Sequence, residues 1–322
     1  MRGAHNHAVI GPFVHHIDPV LGRVDGLYLW FYGLSYTLGF FEVFLWFRSQ
    51  RKRLGFSIVE VYDISILLAA CVVIGGRVVE VIFYEWPYYL AHPAKIPWIW
   101  LGGMSTHGLL LGGTIGTAIF CRIHRRPFLT VADALVIPGA FLMGVGRIGN
   151  FIDGQIVGGI TSMPWGVKFP DTEGFRHPVV IYDAIKNLLL VPLLIAIRRR
   201  SPKRGVVMAN FIFWYAFLRI FVDLFREYPT RLFGLATGQS LNLFMSAIGL
   251  LLWIWFARAK RVVIEVRPAE GGSAILWPRR VFLAAILLIC LVMPSDWTQD
   301  VPRRYGKRHA GLQHSWMYPA IE

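Results

Sequence analysis

The sequence predicts an all-α polytopic membrane protein with seven core transmembrane helices, an additional C-terminal helix and an N-terminus outside the membrane. Hydrophobic residues make up 55% of the 322 residues, charged residues only 16%, and the mean hydropathy is +0.51. This composition is far too apolar for a soluble domain. Apolar stretches long enough to cross a bilayer alternate with short polar segments, and basic runs follow every second stretch.

Seven apolar stretches define the predicted core spans. They cover residues 27–47, 58–85, 106–123, 131–145, 179–197, 205–224 and 241–257. Basic residues follow the first, third, fifth and seventh spans, which predicts that these ends are cytoplasmic. In the third span Gly108, Gly112 and Gly116 recur every four residues, a spacing that favours close contact with another helix.

The segments outside these spans complete the predicted topology. Residues 1–26 show no cleavable signal peptide and are predicted to be an outer N-terminal segment. Residues 258–280 are predicted to be a cytoplasmic linker, residues 281–294 an extra transmembrane helix and residues 295–322 a polar tail. The apolar run of the extra helix is short, so an interfacial or buried helix also fits. No candidate site residue lies beyond residue 279, so this part is expected to be dispensable for catalysis.

Charge and cysteine patterns exclude other classes of function. The formal net charge is +14, but the basic residues form short runs between apolar segments, so nucleic-acid binding is not predicted. Cys71, Cys121 and Cys290 lie in apolar runs without the spacing of a metal site or a disulfide. Four histidines near the N-terminus have a spacing typical of adventitious metal binding rather than of a metal site, so we expect no metal and no cofactor. They are His5, His7, His15 and His16.

Residues 146–166, with the sequence GRIGNFIDGQIVGGITSMPWG, place charged and polar side chains among glycines. Arg147 and Asn150 are three residues apart, so a helical turn would place both on one face, where they suit an anion. A glycine-rich helix end whose arginine extends to the membrane interface explains the same pattern. Residues 150–177 are too irregular to face lipid and are predicted to form an outer cap loop.

Other polar and ionisable residues collect near the predicted outer ends of the spans. Such groups are costly inside a membrane and are rarely without a role. Arg219 and Asp223 are four residues apart, and Arg226 is predicted to lie on the same helix face. Because the arginines outnumber the nearby carboxylate, the group favours binding of a phospholipid phosphate. A structural network of paired charges also explains it. The set comprises His107, Arg147, Asn150, Gln155, Arg219, Asp223 and Arg226.

Several motifs together resemble the signature of the prolipoprotein diacylglyceryl transferase family. They are FYGLSY at residues 31–36, GGMSTHG at 102–108, GRIGNFIDGQIVG at 146–158, PWG at 164–166, RHP at 176–178 and FLRIFVDLFRE at 217–227. The resemblance implies transfer of the diacylglyceryl group of phosphatidylglycerol, or of a similar anionic phospholipid, to the lipobox cysteine in the signal peptide of precursor lipoproteins. It also implies a bacterial inner-membrane protein whose site faces the outer leaflet.

This resemblance assigns roles to particular residues. His107 is expected to accept the thiol proton, and Arg147 and Arg219 are expected to stabilise the phosphate of the departing glycerol phosphate. The residues expected to bind substrate are Tyr32, Asn150, Asp153, Gln155, Gly158, Asp223 and Arg226. For Tyr32, a role in the core or at the interface fits equally.

The chain also departs from the family pattern. Asp153 and Gln155 stand where the family usually has asparagine and glutamate, so a carboxylate at the second position is lost. Asp223 replaces a glutamate, and Val179 and Val180 replace a hydroxyl and an amide side chain. These changes leave two alternatives open. One is a paralogue that acts on another anionic lipid or acceptor, and the other is a non-catalytic lipid-binding accessory protein.

Overall fold

A computed structural model describes residues 13–200, 202–226, 231–232, 235–260, 275–295 and 300–321. Long helices dominate this part of the chain. They are α1 (Phe31–Leu54), α2 (Ile58–Phe83), α4 (Thr106–Ile123), α5 (Phe128–Ile152), α6 (Val179–Arg199), α7 (Val206–Asp223), α8 (Thr237–Arg258) and α9 (Trp277–Cys290), with the short helices α3 (Trp86–Ala91) and α10 (Val301–Tyr305). Residues 1–12 of the predicted N-terminal segment, 261–274 of the linker and 296–299 of the tail lie outside the described residues.

Short strands pair at the ends of the bundle. They are β1 (Phe13–Val14), β2 (Val20–Val24), β3 (Leu27–Trp30), β4 (Val167–Lys168), β5 (Arg231–Leu232) and β6 (Leu235–Ala236). β2 and β3 form an antiparallel hairpin, β5 and β6 a second one, and β1 pairs in parallel with β4. The β1 and β4 pair joins the segment before α1 to the predicted cap loop.

Five of the described helices are long and apolar enough to cross a membrane. They are α2, α5, α6, α7 and residues Gly238–Arg258 of α8. The protein is therefore a mostly helical membrane protein, as the composition predicts. The number of seven or eight spans and the outer N-terminus stay predictions.

The helix bounds differ from the predicted spans in several places, and two of these differences lie near the candidate site residues. The first span was placed from residue 27, but residues 27–30 form strand β3, because the Asp25–Gly26 turn reverses the chain into a hairpin. The fourth span was placed at residues 131–145, but α5 continues to Ile152. Residues 150–152, which the prediction assigned to the cap loop, therefore belong to the helix that carries Arg147.

Local sequence signals explain several helix ends. Ser57 and Glu60 form a reciprocal capping box at the start of α2, with Ser57 Oγ accepting from the Glu60 backbone N–H at 3.1 Å. Ser105 caps the start of α4, and Gly55 ends α1 in the left-handed conformation, with φ of 66°. The start of α4 is therefore fixed immediately before His107.

The predicted glycine face of α4 is confirmed. A Cβ at Gly75 of α2 would lie 2.5 Å from the Gly108 carbonyl oxygen, and a Cβ at Gly112 would collide with the Cys71 backbone. Only glycine allows the two helix backbones to approach this closely. This contact holds α4 against α2 over most of its length.

The basic helix ends lie together at one end of the bundle. Arg198 at the end of α6 donates to Gln50 Oε1 of α1 at 3.4 Å, and Lys203 donates to the Ala257 carbonyl of α8 at 2.7 Å. Arg126, after α4, donates to the Gly55 carbonyl at 2.7 Å. Arg147 and Asn150 lie at the opposite end of α5.

The region after α8 is packed against the bundle. Thr37 of α1 donates to the Leu287 carbonyl of α9 at 2.8 Å, and Gly33 lies directly against the Cys290 backbone. Residues 300–321, here called the C-terminal tail, share a buried cluster with the β2–β3 hairpin. Its members are Val20, Tyr28, Trp30, Leu101, Val301, Tyr305, Leu312 and Tyr318.

Candidate active site

The last two turns of α5 carry Arg147 and Asn150 on one face, as the spacing predicts. Arg147 Nη1 lies 3.3 Å from Asn150 Oδ1. This bond orients the Asn150 amide so that its Nδ2 group is turned to other acceptors. The helix then stops at Gly154, whose φ is 68°. The Gly154 N–H donates to the Phe151 carbonyl and the Gln155 N–H donates to the Asn150 carbonyl, which is the Schellman pattern of helix termination.

Asp183 of α6 is the centre of the charged cluster. Its carboxylate is almost completely buried and pairs with Arg147 of α5, with Nε 2.7 Å from Oδ2. Arg219 of α7 bonds the same oxygen through Nη1, and Lys186 Nζ lies 2.8 Å from Oδ1. Lys186 also lies 3.8 Å from the centre of the Tyr215 ring. One carboxylate thus brings cations of three helices together.

Asp223 extends the cluster along α7. Its Oδ1 lies 3.0 Å from Arg219 Nε, so the predicted pair at four-residue spacing is confirmed. Asn242 of α8 donates to Asp223 Oδ2 at 2.8 Å. Counted over the described residues, the cluster contains three cations and two carboxylates, a net charge of +1. The paired-charge alternative is realised in part, but a positive charge remains to attract an anion.

Asp183 and Lys186 were not among the predicted site residues. Both lie in an apolar helix, where ionisable groups are costly, and their three-residue spacing places them on one face. These two features were the available signals. The motif contains Arg147 but not Asp183, so it gave no indication of the carboxylate that joins the arginines.

A cavity of about 330 Å³ extends into the bundle beside this cluster, and of the described cluster residues Arg147 is the one that lines it. Arg147, Asn150, Tyr32 and Tyr36 line it together with mostly apolar side chains of α1, α2, α4, α5, α7 and α8. Its volume falls within the usual range of ligand pockets. A polar group beside Arg147 and an apolar chain along the helices are the ligand parts that such walls accommodate.

Tyr32 lies at the start of α1, with its side chain buried against the end of α5. A Cβ at Gly149 would lie 3.0 Å from Tyr32 Cα, so glycine at this position permits the close contact. The Tyr32 and Tyr36 hydroxyl oxygens are 2.9 Å apart. Gly149 of the GRIGN sequence thus allows two tyrosine hydroxyl groups to lie beside the cavity.

His107 is placed apart from the arginine cluster. It lies in the first turn of α4 with an exposed side chain, and the Tyr84 hydroxyl oxygen is 3.4 Å from its Nδ1. Its neighbour Thr106 lines the cavity. The structure therefore brings Arg147, Asn150, Arg219 and Asp223 together, whereas His107 is exposed and does not itself line the cavity.

The family sequence model described as "LGT: Prolipoprotein diacylglyceryl transferase" matches residues 19–255. The chain belongs to the prolipoprotein diacylglyceryl transferase family. It is 38% identical over 253 residues to a phosphatidylglycerol–prolipoprotein diacylglyceryl transferase of Geobacter sulfurreducens, covering 76% of this chain and 97% of the relative. Proteins of the same name from Desulfotalea psychrophila and Paracidovorax citrulli are 35% and 37% identical, each over 76% of this chain and over 95% and 97% of the relative.

The diacylglyceryl transferase match includes the loop that follows α5. Gly158 is buried there, where its N–H donates to the His177 carbonyl at 3.1 Å. A Cβ at Gly158 would lie 2.6 Å from that oxygen and 2.7 Å from the Phe225 carbonyl oxygen. Gly158 therefore lets the cap loop pack against the end of α7, an interaction of the backbone that its substrate-binding prediction did not include.

Two other predicted positions of the transferase loop contact the region beyond the family match. The Ser295 N–H donates to Asp153 Oδ2 at 2.9 Å, and Arg304 Nη2 donates to Gln155 Oε1 at 3.1 Å. Both loop side chains are buried. At the end of α7, Arg226 was predicted on the face of Arg219, but the helix ends at Asp223 and Arg226 lies in the following bend. The shared face is therefore limited to Arg219 and Asp223.

The histidine group of the N-terminal region is only partly described. His5 and His7 lie outside the described residues. His15 is buried between Phe151 and Phe169, and its Nε2 lies 2.7 Å from the Phe151 carbonyl oxygen. Burial lowers the pKa of His15, so its neutral ring donates to this carbonyl and packs with the two phenylalanines.

Proposed function

We propose that this chain transfers the diacylglyceryl group of phosphatidylglycerol to the thiol of the lipobox cysteine in the signal peptide of precursor lipoproteins. Glycerol phosphate is the second product. The observation that carries the proposal is the position of Arg147 and Asn150 at the polar part of an otherwise apolar cavity. The names of the relatives indicate the reaction. The cavity has polar residues for a phospholipid head group and apolar walls for its acyl chains.

The charged cluster is suited to hold the phosphate. Asp183 fixes both arginines, so their guanidinium planes are set before the lipid binds. An arginine has five N–H donors, and Arg147 uses Nε for Asp183 and Nη1 for Asn150, which leaves donors for phosphate oxygens. Donors held in place in this way stabilise the charge that develops on a leaving phosphate.

In the transfer step one covalent bond forms and one breaks. The cysteine thiolate attacks the glycerol carbon that carries the phosphate, the new C–S bond forms, and the C–O bond to the phosphate breaks. The electron pair of that bond leaves with glycerol phosphate beside Arg147 and Arg219. His107 accepts the thiol proton, and its exposed position beside Thr106 is open to a peptide arriving from outside the cavity.

The proposed setting is the inner membrane of a bacterium, with the site toward the outer leaflet. The basic ends of α1, α4, α6 and α8 support this orientation, because basic residues concentrate on the cytoplasmic side. The arginine cluster lies at the opposite end of the bundle. Phosphatidylglycerol would enter from the surrounding lipid, and the signal peptide would approach from the outer side.

The test uses purified protein in phosphatidylglycerol vesicles with a synthetic lipobox peptide, and transfer is measured by the mass of the peptide. Arg147→Lys keeps the charge but loses the planar donor, so transfer should fall by about 10²–10³-fold. His107→Gln should leave lipid binding near normal and reduce transfer by about 10²–10⁴-fold.

Arg279→Lys is the matched control. Arg279 also pairs with an aspartate, Asp63, at 2.7 Å, but neither residue lines the cavity. Its transfer rate should stay unchanged. Lipid binding without any transfer by the unaltered chain would favour the accessory-protein alternative. Full transfer by His107→Gln would remove the histidine from the mechanism.

A further inference from the structure

The C-terminal tail contacts three separate segments, each of which lies next to a candidate site residue in the sequence. These segments are the end of α5, the β2–β3 hairpin before α1, and residues 98–101 before α4. They carry or precede Asn150, Tyr32 and His107. The family match ends at residue 255, so the tail is an addition of this chain to the region shared with its relatives.

The first contact holds the end of α5. Arg308 Nη2 donates to the Asp153 carbonyl at 2.8 Å, and Nη1 donates to the Ile152 carbonyl at 3.4 Å. The last carbonyls of a helix have no partner within the helix, and a cation there is favoured by the helix dipole. Arg308 Nη1 also reaches the Ile17 carbonyl at 3.4 Å, which ties this helix end to the N-terminal segment.

The same helix end is held through its side chains. Asp153 is fully buried and accepts from the Ser295 N–H, and Arg304 donates to Gln155. The turn that terminates α5 thus has contacts with the C-terminal region on both sides of Gly154. Arg147 and Asn150 lie within the last two turns of this helix. Movement of the helix end would move both side chains relative to the cavity.

The second contact is with the strand that enters α1. The Tyr28 N–H donates to the Tyr318 hydroxyl oxygen at 3.0 Å, and the Tyr28 hydroxyl bonds the Gly311 carbonyl. Trp30 is fully buried, with its ring centre 4.9 Å from that of Tyr305. Tyr32 follows two residues later. The tail therefore fixes the entry of α1 where its first buried tyrosine meets the cavity.

The third contact is with the segment that precedes α4. Trp100 Nε1 donates to the Met317 carbonyl at 3.1 Å, and Leu101 is buried in the cluster shared with the tail. Arg77 of α2 holds the other side of this segment through the carbonyls of Ile96 and Gly102. The Gly102–Gly103 turn follows, and then Ser105 and His107. The loop that delivers His107 is thus held between α2 and the tail.

We propose that the C-terminal tail is a positioning element of the active site and that Arg308 is its main positioning residue. Arg308 is not among the described residues that line the cavity. It acts through the carbonyls at the end of α5 and so sets where Arg147 and Asn150 lie. This inference rests on the proposed transferase function for its kinetic effect, but the structural effect on α5 is independent of any substrate.

The test is Arg308→Gln in the full chain, purified in detergent, with transfer measured per correctly folded molecule. We expect kcat to fall at least about tenfold, because displacement of a catalytic group by about 1 Å costs up to about 100-fold. The KM for phosphatidylglycerol should change much less. A purely structural tail would instead reduce the yield of folded protein and leave kcat per folded molecule unchanged.

Lys307→Gln is the matched control. Lys307 is the adjacent basic residue, and its pair with Asp171 at 2.7 Å is exposed, so the pair contributes little. Its kcat should equal that of the unaltered chain. Arg308→Lys keeps the cation at the helix end but cannot reach all of the carbonyls, so it should recover part of the lost kcat. It replaces Arg308→Gln if that variant does not fold.

Backbone hydrogen exchange at residues 150–155 provides a second measurement that needs no activity. Exchange there should be faster in Arg308→Gln and unchanged in Lys307→Gln. An unchanged exchange rate or an unchanged kcat in Arg308→Gln would overturn the inference, and so would an equal loss of kcat in Lys307→Gln. If the unaltered chain shows no transfer, the proposed function fails, and the exchange measurement alone decides whether the tail holds α5.

Discussion

The single carboxylate of Asp183 faces three cations, and each cation lies on a different helix. They are Arg147 of α5, Lys186 of α6 and Arg219 of α7. Neutralising this carboxylate would leave three cations in a buried site with Asp223 as the remaining counter-charge among the described residues. An unpaired buried charge is strongly destabilising, whereas a paired one is tolerated. Asp183 therefore governs both the stability of the cluster and the placement of its arginines.

Asp183→Asn should destabilise the protein by about 3–5 kcal/mol, the usual cost of removing one partner from a buried ion pair. Transfer should also fall, because Arg147 and Arg219 lose the group that orients them. Thermal unfolding in detergent and the vesicle transfer reaction measure the two effects. The double variant Asp183→Asn with Lys186→Met removes a cation as well, so it should regain part of the stability. Equal stability of Asp183→Asn and the unaltered chain would contradict the central role of this carboxylate.

The sequence was sufficient for the pairs that lie within one helix. Arg147 and Asn150, and likewise Arg219 and Asp223, are three or four residues apart, and helical geometry brings such residues together without knowledge of the fold. The contact of Asp183 with the two arginines is different, because they lie 36 residues before and after it in the sequence and meet it only when three helices pack. Spacing carries no information about such a meeting point.

The departures from the family pattern at Asp153 and Gln155 are explained by contacts with the C-terminal region. Of these two positions one carries a carboxylate, and it is Asp153 rather than position 155. Asp153 lies where the Ser295 N–H can bond it, and Gln155 offers an uncharged oxygen to Arg304. The expectation that the C-terminal region is dispensable did not include these contacts, because they join residues about 140–150 positions apart in the sequence.

At the scale of elements, the contact of α2 and α4 depends on glycine. Gly112 lies against the Cys71 backbone, whereas the adjacent Gly113 has only the Val72 Cγ2 methyl within reach, at 3.7 Å from an added Cβ. The two positions are neighbours on one helix but face different surroundings. They therefore form a matched pair for testing close helix packing.

Gly112→Ala should lower the stability of the protein by about 1–3 kcal/mol, because the added methyl group meets backbone atoms that cannot rotate away. Gly113→Ala should be neutral or slightly stabilising, since alanine is the better helix former. The apparent melting temperatures of both variants in detergent measure the difference. Similar melting temperatures would show that the helices separate easily and that the glycine face is not required.

At the scale of the whole molecule, Asp300 is the charged group on which the fold of the C-terminal tail depends. It caps α10 by accepting from the Arg303 N–H at 3.0 Å, and it pairs with His314 Nε2 at 2.8 Å. Burial acts to raise its pKa, but the bonds from His314, Arg303 and Ile321 outweigh burial and hold the pKa of Asp300 below its usual value. The contribution of a carboxylate with a lowered pKa is present above its unfolded pKa and is lost as pH falls through the folded value.

The tail should therefore remain attached at neutral pH and loosen only below about pH 4, the region of the unfolded aspartate pKa. Hydrogen exchange of residues 300–321, measured between pH 7 and pH 3 and corrected for the intrinsic exchange rate, should show the transition. Asp300→Asn should weaken attachment at pH 7 and remove most of this pH dependence. A transition of the same size in Asp300→Asn would assign it to other carboxylates, such as Asp171, which pairs with Lys307.

The bond between the Tyr28 N–H and the Tyr318 hydroxyl joins residues 290 positions apart in the sequence. A ribosome releases Tyr28 early and Tyr318 only after α1 to α9 have been synthesised. During that interval the inserted helices exist without the contacts that fix the end of α5 and the entries of α1 and α4. Nascent chains therefore pass through a stage in which α1 to α9 have been synthesised but the contacts of the tail are absent, and a premature stop codon shortly before Val301 would make the absence of these contacts permanent.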